Sequence, residues 1–254
     1  MTALGLQKLS VPPFNAHYEG NYDDAMLVWR GLGAQDKVRN MQTLLGDNGV
    51  DRIDTVLEAG CGTGAVLLEV QRRGIGRTHH GVDVADPGEH PHPGVAEAES
   101  LTLSRYGGVR LPFDDDSFDL VFASHVLEHV PDERGFLGEV RRVARRWVYI
   151  EVPCELHLRT SIGKLQSTLE IGHINAYTPE SFALTLSSAG LNPKAMHIFD
   201  HSLALHAFGS SRTKARLKAG FRGGLLRLSP TLASRLFTYH VGALIDLSEC
   251  RSDT

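Results

Sequence analysis

The sequence predicts an α/β protein built on a doubly wound, mainly parallel sheet, and three observations predict it. Short β-prone apolar runs alternate with stretches of helical periodicity, the pattern of a parallel sheet covered by helices on both faces. The run Phe118 to Ala123 (FDLVFA) is almost continuously apolar, as a strand buried on both faces requires. A glycine-rich turn, Gly60-Cys61-Gly62-Thr63-Gly64, joins the first such strand to a helix. The 254 residues suffice for one large domain with a sizeable core. No internal repeat or long low-complexity segment divides them, so residues 1–254 read as a single domain.

The elements follow in order. Residues 1–50 read as an N-terminal helical cap. Residues 1–20, with Pro12 and Pro13, form an irregular lead-in. From Asp23 to Leu45 the residues Met26, Leu27, Trp29, Leu32, Val38, Met41, Leu44 and Leu45 recur near helical spacing. Gly31-Leu32-Gly33 is expected to interrupt this stretch into two helices. Residues 51–152 form the ligand-binding core. Asp54 to Ala59 is a strand, Ala65 to Arg73 a helix and Thr78 to Val84 a second strand; 85–94, with three prolines and two glycines, is a loop. After the strand at 118–123, Phe136, Leu137, Val140, Val143, Ala144 and Trp147 mark one face of a helix. Val148 to Val152 is then a strand stopped by Pro153. Residues 153–177 are a long connection. Thr178 followed by Pro179 is a helix start, a hydroxyl cap before proline at the first helical position. Phe182, Leu186 and Ala189 should face inward, with the end at Gly190. In the C-terminal part, 178–254, Lys194 to His201 and Leu236 to Leu247 hold the last strands, around a basic helical insertion at 203–235.

Composition narrows the class. Apolar residues make up 42% and the formal charge is −4, so the whole molecule has no strongly basic balance for nucleic acid. No run of 18 apolar residues exists to span a membrane. Met1 to Phe14 lacks a secretory signal pattern. Cys61, Cys154 and Cys250 are far apart, which fits neither a disulfide framework nor a zinc set. The expectation is a soluble cytoplasmic chain.

The chemistry centres on Glu58-Ala59-Gly60-Cys61-Gly62-Thr63-Gly64. A tight strand-to-helix turn needs glycines that take positive φ or let a ligand approach the backbone. The helix start presents unbonded N–H groups, and in doubly wound sheets such turns lie at the strand ends where ligands bind. Gly60, Gly62 and Ala65 also satisfy the dinucleotide fingerprint, with Asp83 as a ribose-binding carboxylate in either case. Glu58 favours a cationic ligand and would repel a pyrophosphate. Further on stand Leu111-Pro112-Phe113-Asp114-Asp115-Asp116-Ser117-Phe118-Asp119-Leu120-Val121 and Ser124-His125-Val126-Leu127-Glu128-His129-Val130.

In their order and spacing these motifs resemble the class I S-adenosylmethionine-dependent methyltransferases, of small-molecule, bacterial type. The likeness is strong over about residues 54–152 and weaker over Gly172-His173-Ile174-Asn175-Ala176-Tyr177-Thr178-Pro179-Glu180-Ser181. It implies a Rossmann-like seven-stranded sheet with an antiparallel last strand, S-adenosylmethionine as cofactor and S-adenosylhomocysteine as product. It places Glu58, Gly60, Cys61, Gly62 and Gly64 against the amino-acid part of the cofactor. Asp83 falls on the ribose hydroxyls, Val84 beside the adenine, and Ser124 and His125 at the methyl-transfer point. The family's usual acidic residue before LPF, which contacts the adenine amino group, is replaced here by Gly107.

Methyl transfer from a sulfonium is an in-line displacement that depends mainly on alignment and exclusion of water. A base is needed only when the nucleophile must lose a proton. Histidine suits that role, and His125 and His173 are the candidates. Tyr18, Tyr22, His129, His157 and His173 are the candidate substrate contacts, with 153–177 as a lid. Arg30 or Lys37 would pair with the cofactor carboxylate. His79-His80 and His90-x-His92 lack partners at ligand spacing, read as exposed loop or strand-edge residues, and give no metal site. The segment 211–235 carries Arg212, Lys214, Arg216, Lys218, Arg222, Arg227 and Arg235 with no acidic residue between Asp200 and Asp246. It reads as a solvated helix pair, a subunit interface giving a homodimer, or a patch for an anionic acceptor or membrane surface. The expected activity is methylation of O, N or C of a small molecule, with no specific nucleic acid as partner. A nicotinamide-dependent oxidoreductase and a non-catalytic methyltransferase-like subunit remain as alternatives, and macromolecular methylation is kept open by the basic segment.

Overall fold

The computed structural model describes residues 24–250. Tyr18 and Tyr22 therefore lie outside the described residues. Strands β1 (Thr55–Ala59), β2 (Thr78–Asp83), β3 (Leu101–Arg105), β4 (Phe118–Ser124), β5 (Ala144–Cys154), β6 (Ala195–Phe199) and β7 (Tyr239–Asp246) form one sheet in the order β3-β2-β1-β4-β5-β7-β6. The first five strands pair in parallel, and β7 runs antiparallel to both β5 and β6. The expected antiparallel last strand is present, and it lies one strand in from the edge, between β5 and β6. Among the described residues no helix is long and apolar enough to cross a membrane.

Each central strand buries alternate residues on opposite faces. Leu57, Val121, Ala123, Val148 and Ile150 meet Phe136, Leu137, Val140 and Val143 of α3 (Glu133–Val143) and Phe182 and Leu186 of α5 (Pro179–Ser188). On the other face Val56, Leu120, Phe122, Trp147 and Tyr149 meet Val38, Met41 and Leu44 of α1 (Asp24–Asp47) and Leu67 and Val70 of α2 (Ala65–Arg72). Continuous apolar runs result because both faces are covered.

Three expectations for the elements need correction. Gly31 and Gly33 do not divide the first helical stretch; α1 is one helix of 24 residues. A helical glycine costs about 1 kcal/mol, which burial of Val38, Met41, Leu44 and Leu45 outweighs. The helix on Phe136 does not reach Trp147: α3 ends at Val143, and Ala144 and Trp147 already belong to β5. Nor does Pro153 stop that strand. β4 ends opposite Glu151, so Pro153 pairs only with β7, at His240, and has no β4 neighbour to which an N–H would donate.

The start of α5 forms as expected. Thr178 Oγ1 accepts from Ser181 N at 3.1 Å, Ser181 Oγ accepts from Thr178 N at 2.9 Å, and Gly190 closes the end at φ +74°. The connection after β5 holds α4 (Ile162–Glu170). Between β6 and β7 lie α6 (Leu203–Ala207), α7 (Arg212–Leu228) and α8 (Pro230–Leu236). α9 (Leu247–Cys250) follows β7.

Candidate active site

The sheet order reverses at β1, which has β2 on one side and β4 on the other. Such a switch point opens a crevice at the carboxyl ends of the strands. The glycine turn stands there. Gly60, Gly62 and Gly64 have φ of +86°, +51° and +78°. A Cβ on Gly60 would meet Val126 Cγ2 at 2.5 Å, and one on Gly64 would meet Leu103 Cδ1 at 2.9 Å. Geometry and space thus both require glycine at these two positions. Asp83, at the end of β2, accepts from Gly62 N at 2.7 Å and Ala85 N at 3.0 Å. It pins the turn and keeps further acceptor capacity on each oxygen. Burial raises its carboxyl above the ordinary value despite these N–H donors.

Glu58 lies beneath the turn, 1% exposed, and its Oε2 is buried with no hydrogen-bond partner. Burial raises its carboxyl to about 8, against the pull of the Lys37 ammonium. Ser124 Oγ, at the end of β4, is likewise buried without a partner. Lys37 reaches in from α1 and donates to Ser124 O at 3.3 Å. Its ammonium is lowered by burial and supported by Glu151, Glu128 and Glu58. Cys61 is buried, and burial pushes its thiol up, so it contributes shape rather than nucleophilicity.

Past β4 comes His125, with φ +60°. A non-glycine residue in this region carries strain that the surroundings must hold. Its N–H donates to Glu151 O at 2.9 Å, extending the β4–β5 ladder by one bond. Its Nε2 lies 2.8 Å from His240 Nδ1, and His240 Nε2 lies 3.1 Å from His201 Nε2. His201 Nδ1 is 3.9 Å from Asp36 Oδ2. Burial holds both His125 and His240 well below the ordinary histidine value. Glu151 stands beside them, bonded to Asn40 Nδ2 at 3.3 Å and to the Tyr149 hydroxyl. His240, His201, Glu151 and Asn40 were not singled out from the sequence. They come from β7, the segment after β6, β5 and α1, and no local motif marks them.

The other expected site residues divide. His129 and His173 are brought together, their rings 4.8 Å apart and edge to face. His157 is not part of either group: its Nδ1 accepts from Arg159 N at 3.2 Å and its Nε2 meets Thr238 Oγ1 at 3.3 Å. Val84 lies against the turn at Gly108, where an added Cβ would meet it at 3.1 Å, whereas Gly107 faces open space within 4 Å. His79 and His80 are not exposed. His79 is buried against Ile75 O at 2.9 Å, and His80 packs edge-on against Phe113 and Phe118. Arg222 does not belong to the exposed basic face; it is buried on Asp200 and the Tyr239 ring. Arg212, Lys214, Arg216, Lys218, Arg227 and Arg235 are exposed.

Residues 31–195 match the family model of a methyltransferase domain. Over 92 residues the chain is 38% identical to a methyltransferase of Mycobacterium avium, covering 36% of this chain and 35% of that one. It is 29% identical over 112 residues to ajmaline N-methyltransferase of Rauvolfia serpentina, covering 40% and 36%. The chain thus matches about a third of the length of these curated relatives. The solved structure of a geranyl diphosphate methyltransferase in complex with SAM shares the fold, with TM-score 0.61 and 15% identity over 91% of this chain and 94% of that one. The glycine turn at the switch point and the family match over most of the chain remove the dinucleotide alternative: the chain belongs to the methyltransferase-domain family, the class I S-adenosylmethionine-dependent methyltransferases.

Proposed function

We propose that this chain methylates a small-molecule acceptor at the edge of the sheet between the glycine turn and His125, with His125 as the base. The observation that carries the reading is the buried, partnerless Oε2 of Glu58 beneath a turn of three left-handed glycines. A buried carboxylate oxygen without a donor is costly. The ammonium of the cofactor's amino-acid part is the kind of donor that would satisfy it, so the residues present fit the group. Bound there, S-adenosylmethionine supplies an electrophilic methyl group on a sulfonium.

The chain's own residues then position and deprotonate. Glu58, Gly60, Gly62 and Gly64 would hold the amino-acid part, Asp83 the ribose hydroxyls and Val84 the adenine, with Ser124 at the turn into His125. Low basicity keeps His125 and His240 neutral near pH 7. One consistent tautomer set runs through the three imidazoles. His125 Nε2–H donates to His240 Nδ1, His240 Nε2–H donates to His201 Nε2, and His201 Nδ1–H faces Asp36. His125 Nδ1 is then the lone-pair nitrogen able to accept the acceptor's proton. Each imidazole passes its own proton to the next, and His201, whose side chain is 37% exposed, delivers one to solvent.

Transfer of a labelled methyl group by the isolated full chain, screened over small hydroxyl and amine acceptors, tests the reading. His240→Asn should lower kcat by about 10- to 100-fold, within the range for general-base assistance, with S-adenosylhomocysteine affinity unchanged. Absence of turnover together with tight cofactor binding would instead identify a non-catalytic subunit. An unchanged kcat in His240→Asn would remove the relay.

A further inference from the structure

A second polar group lies beside the three histidines. Glu128 and His129, in the 3-10 turn Leu127–His129, face His173, in the segment after α4. One ligand atom from each lies within 4.8 Å of the others. Glu128 is 0% exposed, and both its carboxylate oxygens are buried with no hydrogen-bond partner. Such a group is expensive to bury unless a cation or donor joins it.

The two imidazoles beside it are oriented from behind. His129 Nδ1 donates to Gly172 O at 2.9 Å, and His173 Nδ1 donates to Glu155 Oε2 at 2.8 Å. With Nδ1 of each ring donating, Nε2 is the nitrogen that would face an ion. This is how metal-binding imidazoles are held, one nitrogen on the ion and the other on a carbonyl or carboxylate. Burial lowers the His173 imidazole, but Glu155 and Glu128 raise it above the ordinary value, so an ion there displaces a proton. The backbone is fixed as well. Ile174 N and Asn175 N donate to Glu128 O at 2.9 and 3.0 Å, and Asn175 Nδ2 donates to Leu127 O and Val130 O at 3.0 and 2.7 Å. The adjacent group differs, because Glu151 is already bonded to Tyr149 and Asn40, and His240 to His125 and His201.

We propose that Glu128, His129 Nε2 and His173 Nε2 form a binding site for a divalent transition-metal ion of the zinc, manganese or iron(II) class. Two imidazoles and one carboxylate suit these ions better than magnesium or calcium, which prefer all-oxygen sets. Bonds of about 2.0–2.2 Å place ligand atoms roughly 3–3.5 Å apart, so side-chain rotation must draw the group together by about an ångström. Three protein ligands leave coordination positions for an exogenous oxygen. Glu128 Oε1 lies 3.6 Å from His125 Nδ1, so the site borders the nitrogen assigned above as base. The acceptor class that fits is a hydroxyl compound with a second oxygen able to chelate, whose hydroxyl the ion makes more acidic. That last step rests on the proposed methyl transfer; metal binding itself does not.

The test uses the full chain, stripped with a chelator, titrated with Co2+ and read by visible absorption, with metal content measured after dialysis against Zn2+. The expected result is one ion per chain with a ligand-field band, and binding weakened about 10-fold or more in Glu128→Gln and in His173→Gln. His240→Asn should bind as the wild type does. Glu128→Gln is nearly isosteric and breaks no hydrogen bond; if it fails to fold, His173→Gln decides. Stoichiometric binding unaltered by both substitutions, loss confined to His240→Asn, or no binding at all would overturn the site. Cofactor titration of the metal-free chain separates the two proposals: metal binding without cofactor binding keeps the ion and removes its role in methylation.

Discussion

Asp119 shows how much one side chain fixes. Its Oδ2 accepts from Asp54 N and Thr55 N, both at 3.0 Å, and from Thr55 Oγ1 at 3.2 Å, while its other oxygen pairs with Arg145. It sets where β1 begins beside β4. Partial burial pushes its carboxyl up, but the N–H groups of Thr55 and Asp54 and the Arg145 charge hold it below the ordinary value. A lowered carboxyl stabilises the fold fully above its unfolded value, about 3.9, and loses that contribution as pH falls through the lower folded value. Asp119→Asn should therefore cost about 1–2 kcal/mol at pH 7, measured by urea unfolding. The gap should close in strong acid, where both side chains are neutral acceptors; a gap independent of pH would contradict this. At this scale the sequence was informative where residues sit in local motifs. Glu58 and the glycines are legible because a strand, a turn and a helix are read together. The sequence offers Arg30 or Lys37 as the partner of the cofactor carboxylate, but the placement of Lys37 beside Ser124 and three carboxylates depends on how α1 packs.

At the scale of elements, periodicity located most of the sheet, because buried parallel strands leave continuous apolar runs. It failed where packing overrides propensity. Gly31 and Gly33 read as breakers, yet α1 continues across them against the sheet. β3, the edge strand Leu101–Arg105, is short and mostly uncovered, so it carries little apolar signal. The α5 start was legible because its cap is chemical and local. Thr178→Ala should destabilise the chain by about 1 kcal/mol, read as a lowered thermal midpoint; no change would mean that tertiary packing alone holds that turn. The insertion between β6 and β7 forms helices with exposed cations, and Leu217, Phe221 and Leu228 are exposed among them.

For the whole molecule, topology does what sequence spacing does not. Chain order separates His125, His201 and His240, yet β7 inserted between β5 and β6 brings His240 beside the end of β4. The group of Glu128, His129 and His173 was invisible to a search for metal ligands at close spacing for the same reason. The methyltransferase motifs are concentrated in β1, β2 and β4, so the cofactor end was readable and the acceptor end was not. A ligand bridging these segments binds only the folded chain. Calorimetric titration with S-adenosylhomocysteine therefore tests the central claim most directly. The account predicts saturable binding at one site per chain, weakened about 10- to 100-fold in Glu58→Gln through loss of a hydrogen bond to a charged group, with the unliganded variant folding as well as the wild type. No binding by the wild-type chain, or equal affinity in the variant, would contradict it.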